Sequence, residues 1–176
     1  MIRAVFVHVQ KTAGCSISAT FPGIVYYGKH ARIERVRKSY LSDRTVTGLP
    51  WAELFKFIFV RNPWDRWLEL YAHQFGNYNP SGFARYIARQ SVPEWDFDEF
   101  DFVGQFENLA RDVASVGAAI GSPDPVLPHR HPMQVQRSDD WRTYYDAATR
   151  DAVAELGAWE IDRFGYTFDD CAQRAA

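Results

Sequence analysis

Residues 5–18 read Val5-Phe6-Val7-His8-Val9-Gln10-Lys11-Thr12-Ala13-Gly14-Cys15-Ser16-Ile17-Ser18. A short apolar run stops at a lysine, and small and hydroxyl residues follow. The pattern predicts a buried strand over about Arg3–Val9, a tight turn, and a helix over about Gly14–Phe21. Such a turn aims backbone N–H groups and a helix dipole at one spot, which suits a phosphate. Lys11 adds a full positive charge and the hydroxyls add donors. A strand followed by a capped helix with no ligand is the alternative. A Walker A loop has its lysine after the glycines. Here Lys11 precedes Gly14, so ordinary ATP or GTP hydrolysis is not indicated.

A second segment repeats the design. Phe55–Val60 (FKFIFV) is a β-prone apolar run, and Arg61-Asn62-Pro63-Trp64-Asp65-Arg66 follows. Pro63 fits the first turn of a helix, whose Trp64, Trp67, Leu68, Tyr71 and Phe75 recur at helical spacing and are expected to face the core. Arg61 leaves the strand end with a planar fork of donors that can reach a phosphate. Arg66, near a helix start, needs Asp65 or a bound anion as partner. A surface Arg66–carboxylate pair with Arg61 capping the sheet is the other option.

Further strands are expected at Ile24–Tyr27 and Phe102–Phe106. Further helices are expected at His30–Tyr40, Phe83–Arg89, Glu107–Ile120 and Ala147–Phe164. Asn79–Gly82 and Gly121–Pro132 are expected to be irregular. Strands alternating with helices predict an α/β fold with a parallel sheet, and ligands in such sheets sit beyond the strands' carboxyl ends.

The 176 residues suit a single domain, 1–176. Net charge is −2, so broad attraction to nucleic acid or membranes is not expected and an anion site must come from local clustering. No apolar run reaches the length of a membrane span. His8, Gln10 and Lys11 interrupt the N-terminal apolar stretch, so no signal peptide is expected. Two cysteines, Cys15 and Cys171, make a disulfide framework unlikely and a cytoplasmic location the simpler expectation.

The two segments together resemble the PAPS-dependent sulfotransferases (PAPS is 3'-phosphoadenosine 5'-phosphosulfate). FVHVQKTAGCS is similar to their 5'-phosphosulfate loop, and FVRNPWDRWLELY to their 3'-phosphate segment. DFVGQFENL at Asp101–Leu109, LPH at Leu127–His129 and the tail from Tyr144 extend the likeness over nearly the whole chain. The resemblance implies a three-layer parallel sheet flanked by helices, related to the P-loop NTPases. It implies that Lys11, Thr12, Ala13, Gly14, Cys15 and Ser16 hold the 5'-phosphosulfate and that Arg61 holds the 3'-phosphate. PAPS would be the sulfuryl donor and 3'-phosphoadenosine 5'-phosphate (PAP) the product, with no metal.

Three positions depart from the family pattern. Gln10 replaces a proline, and Cys15 replaces a threonine or serine. Glu69 stands where a serine meets the 3'-phosphate. An inward carboxylate there repels phosphate, unless Glu69 turns to Arg66 or another cation.

Lys11 is the candidate for stabilising the leaving 5'-phosphate. His30 is the candidate base, with Glu34 one turn later to orient or replace it. An ordinary helix-start histidine is the alternative. His8 reads as a core histidine, and His129 and His131 lack a clear metal-site partner. Arg32, Arg35, Arg37 and Lys38 form either a solvated helix face or a dock for an acidic acceptor. The expected function is sulfuryl transfer from PAPS to a hydroxyl or amine of a small molecule or glycan. The alternative is a catalytically impaired PAP- or nucleotide-binding protein. A kinase-like transferase is disfavoured by the missing Walker lysine.

Overall fold

The structure is a computed structural model that describes residues 3–26, 32–43, 48–91, 97–128, 138 and 140–170. The chain divides into two compact units. One comprises 1–60 and 95–131, and the other 61–94 and 132–174.

The first unit is an α/β layer structure. Strands β1 (Ala4–Val7), β2 (Phe55–Val60) and β3 (Phe102–Gln105) form a parallel sheet in that order. The register sets Phe6 beside Phe57 and Phe59 beside Gly104. Alternate residues point to one face, and Ala4, Phe6, Phe57 and Phe59 there pack with Ile17 and Phe21 and with Leu109, Val113 and Val116. Those partners come from helix α1 (Gly14–Thr20) with the residue after it, and from helix α5 (Leu109–Ile120). Val5, Val7, Ile58 and Val60, on the other face, are buried as well. Burial of both faces explains why FKFIFV reads as an unbroken apolar run rather than an alternating one.

Polar side chains tie the sheet ends. The Lys56 N–H donates to the Asp101 carboxylate at 2.7 Å, and its buried ammonium donates to the Leu54 carbonyl. The Gln105 N–H donates to Asp112 at 2.8 Å, which fixes the turn into α5. Three expectations change here. The strand expected at Ile24–Tyr27 is a single parallel bridge between Val25 and Val5, with Tyr27 outside the described residues. The helix expected from His30 is α2, Ile33–Ser42, and residues 27–31 lie outside the description. The helix expected from Glu107 begins at Leu109, after a 3-10 turn over Phe106–Asn108.

The second unit is helical: α3 (Pro63–Phe75), α4 (Pro80–Ile87), α6 (Ala147–Leu156) and α7 (Ala158–Phe164). The Asn62 side chain caps α3 by accepting from the Trp64 N–H at 3.1 Å, and its amide donates to the Thr167 carbonyl. Pro63 sits in the first turn, where its missing N–H costs nothing. Asn79 and Pro80 repeat this start, so α4 begins inside the stretch expected to be a loop. Phe75, expected in the core, is half exposed at the last turn of α3.

The helix expected over Ala147–Phe164 is two helices broken at Gly157. A Cβ at Gly157 would lie 2.6 Å from Pro63 Cβ, so the glycine permits a close approach to the start of α3. Arg66 also differs from expectation. Its partner is neither Asp65 nor a surface carboxylate but Glu160 on α7, at 2.6 Å, with both side chains 4% exposed.

That pair predicts a large, asymmetric stability effect. Glu160→Ala should cost about 3–5 kcal/mol because it strands a buried guanidinium, whereas Arg66→Met with Glu160→Leu should recover most of it. Urea denaturation measures both. A loss under about 1 kcal/mol for Glu160→Ala would refute a buried, paired Arg66.

Candidate functional site

β1 ends at Val7 and the chain reaches α1 through a turn over Gln10–Ala13. Lys11 has φ 63° and Ala13 has φ 61°. Both are left-handed, a conformation that costs a residue bearing a Cβ about 1–2 kcal/mol. Two such residues around Thr12 store strain of the kind that clusters at ligand-binding turns. The Ala13 carbonyl accepts from the N–H groups of Ser16 and Ile17, at 2.9 and 3.0 Å. The donors left at the mouth of the turn are the earlier N–H groups of Ala13, Gly14 and Cys15. With only seven residues, α1 contributes a small dipole, so Lys11 carries most of the positive charge.

The hydroxyls are arranged differently from expectation. Thr12 is fully buried and its hydroxyl donates to the Val9 carbonyl at 2.9 Å. It braces the turn rather than offering a donor to a ligand. Ser16 is buried, and Cys15 is a partly exposed free thiol.

Beneath the turn lies a pair that sequence reading did not place at the site. His8 is 5% exposed, and its Nδ1 is 2.9 Å from the Tyr26 hydroxyl. Its ring stacks on Phe6 at 5.7 Å between centroids. A Cβ at Gly14 would lie 2.0 Å from His8 Cδ2 and Nε2, so only glycine lets the turn rest on this imidazole. The signal was available in the alternation that puts His8 on the same face as Ala4 and Phe6. Burial, and secondly the neighbouring Cys15, push the Tyr26 phenol above its ordinary range. It therefore keeps its proton through neutral pH.

In the second unit, Arg61 is 7% exposed. Its Nε donates to Asp65 Oδ2 at 2.8 Å, and its Nη2 lies 2.6 Å from the same oxygen. Glu69 Oε1 lies 3.8 Å from Nη2. Asp65 and Glu69 lie four apart on one face of α3, and Arg61, just before the helix cap, reaches toward both. Glu69 thus turns to Arg61 rather than to Arg66. Asp65 holds the Nε–Nη2 edge of the guanidinium, one of the two edges with which an arginine can grip an oxyanion.

His30 and the pair His129 and His131 fall outside the described residues. Glu34, Arg35, Arg37 and Lys38 are exposed on α2, and Arg37 pairs with Glu99 at 2.9 Å, as a solvated helix face would. Among the described residues, no group of three or more His, Cys, Asp or Glu side chains is placed to hold a metal ion. No helix among them is long and apolar enough to cross a membrane. No protein-family model matches the chain, and neither a curated protein nor a solved structure matches it.

The packing of Gly14 on His8 gives a direct test. Gly14→Ala should destabilise the chain by about 1–3 kcal/mol through overpacking. In a His8→Ala background the same change should cost less than half as much, because the clashing ring is gone. Equal costs in the two backgrounds, measured by denaturant titration, would show that the turn does not rest on His8.

Proposed function

We propose that this chain is a sulfotransferase that moves a sulfuryl group from a nucleotide 5'-phosphosulfate, PAPS by resemblance, to a hydroxyl or amine acceptor. The observation that carries this is the Lys11–Ser16 turn. It follows a buried parallel strand, bears left-handed residues at Lys11 and Ala13, and opens onto a helix start. The motif likeness of the two segments supplies the specific chemistry, and the P-loop-like version of the α/β fold belongs to the same proposal. A single domain, a cytoplasmic location and a small-molecule or glycan acceptor complete it.

The donor brings an activated sulfuryl group. As the acceptor oxygen or nitrogen bonds to sulfur, the bridging S–O bond breaks and its electron pair stays on the 5'-phosphate. Negative charge grows there, and catalysis is largely positioning and charge stabilisation. Lys11 and the N–H groups of the turn meet that charge. His8 and Tyr26 hold the turn in place from below. His30 is the base assigned to the acceptor proton, with Glu34 as its helper.

A second reading has its own observation. Arg61, the residue assigned to the 3'-phosphate, is engaged by Asp65 and Glu69. A nucleotide-binding protein without transferase activity would tolerate that arrangement.

Transfer of labelled sulfate from PAPS to a panel of hydroxyl and amine acceptors separates the two. Activity should appear and should fall about 10²–10³-fold in Lys11→Ala, the size expected for losing a charge-stabilising donor. The variant should keep the wild-type circular dichroism. Unchanged turnover in Lys11→Ala would remove its role, and binding without any transfer would favour the second reading.

A further inference from the structure

Resting on the sulfuryl-transfer reading, we propose that Tyr26 is a further ligand-contacting residue. Its phenol donates a hydrogen bond to the 5'-phosphosulfate held at the Lys11–Ser16 turn, and His8 is the positioning residue that frees that proton. All the groups involved belong to the first unit.

The backbone fixes where the phenol stands. Val25 forms a parallel bridge to Val5, its N–H donating to the Ala4 carbonyl at 2.9 Å and its carbonyl accepting from the Phe6 N–H at 3.0 Å. Tyr26 is the next residue, so its side chain shares a face with Phe6 and His8. Its ring stacks on Phe6 at 6.1 Å between centroids, and its hydroxyl lies 2.9 Å from His8 Nδ1. The Cδ2 and Nε2 atoms of that imidazole are the ones that meet Gly14, within the turn. The phenol therefore reaches the carboxyl-terminal edge of the sheet, where ligands of parallel α/β folds sit. Tyr26 is partly buried and His8 is buried, so the pair has one accessible member beside the turn and one member beneath it.

The turn gains from such a donor. The Thr12 hydroxyl is committed to the Val9 carbonyl, and Cys15 offers only a thiol, a weak donor. A phenol has a single proton. Pointed at His8, it leaves nothing for an anion. When His8 Nδ1–H donates to the phenol oxygen instead, the proton points outward. Burial, and secondly Cys15, hold the phenol in its neutral form, and a bound anion favours that form further. Tyr26 thus serves as a neutral donor whose hydrogen bond strengthens as negative charge grows on the 5'-phosphate. It keeps its proton throughout, and the bonds made and broken at sulfur are unchanged.

Calorimetry with adenosine 5'-phosphosulfate, together with the nitrogen resonances of the His8 ring, tests this. Tyr26→Phe removes one oxygen. It should weaken binding about ten- to hundredfold, the loss expected for a hydrogen bond to a charged group, while keeping the wild-type circular dichroism. His8→Leu should weaken binding by a similar factor. His8→Asn, whose amide N–H can stand in place of Nδ1–H, should recover part of that loss. Adding Tyr26→Phe to His8→Leu should cost little more, because both act through one proton. With ligand bound, His8 should show a protonated Nδ1, a signature that a merely structural imidazole need not give. Tyr26→Phe binding as tightly as wild type, or an unprotonated Nδ1 in the complex, would overturn the inference and leave the sulfuryl-transfer reading standing. No binding by the wild-type protein at millimolar nucleotide would overturn both.

Discussion

The parallel pairing of β2 with a strand on each side is the constraint from which the architecture follows. Phe55–Val60 hydrogen-bonds to β1 and to β3, and neither pairing can be made by a tight turn. Each requires a long crossover, and the crossovers hold the rest of the chain between residues 8 and 101. Because the strands run parallel, β1 and β2 end at the same edge of the sheet. Lys11 lies four residues past one end, and Arg61 directly follows the other. Without the buried aromatic face of β2, neither segment would have a fixed point of departure.

Much of this was legible because the signals were local. FKFIFV has no polar interruption except Lys56, whose ammonium is spent on the Leu54 carbonyl and whose backbone is held by Asp101. Asn62-Pro63 carried both a cap and a first-turn proline, and it does start a helix. The same pair at Asn79-Pro80 was read as a loop because Ser81 and Gly82 follow, yet the cap prevailed over two weak helix formers. The break at Gly157 was missed because its cause is Pro63, almost a hundred residues away. Arg66 likewise reads from sequence as needing Asp65, a bound anion or a surface carboxylate, and its true partner is out of reach of a local reading. Its partner Glu160 is 94 residues distant, and sequence proximity carries no information about such a pair.

The candidate site shows the same division. The strand, the lysine and the small residues were visible as a turn that favours anions. The left-handed backbone at Lys11 and Ala13 was not, because neither is a glycine. The spending of the Thr12 hydroxyl on Val9, and the imidazole of His8 filling the space beside Gly14, depend on how the turn folds back onto β1. Glu69 was recognised as a problem from its charge alone. Its proximity to Arg61, shared with Asp65, makes the conflict specific. One segment concentrates positive charge and N–H donors, and the other arrives with its cation already balanced.

The central claim is that the turn over Lys11–Ser16 holds the 5'-phosphosulfate end of a nucleotide. Titrating isotope-labelled protein with adenosine 5'-phosphosulfate and following backbone amide resonances tests it most directly. The account predicts that the amides of Ala13, Gly14 and Cys15 move furthest, as N–H groups that donate to an anion do. Largest shifts elsewhere in the chain, or none at millimolar nucleotide, would contradict it.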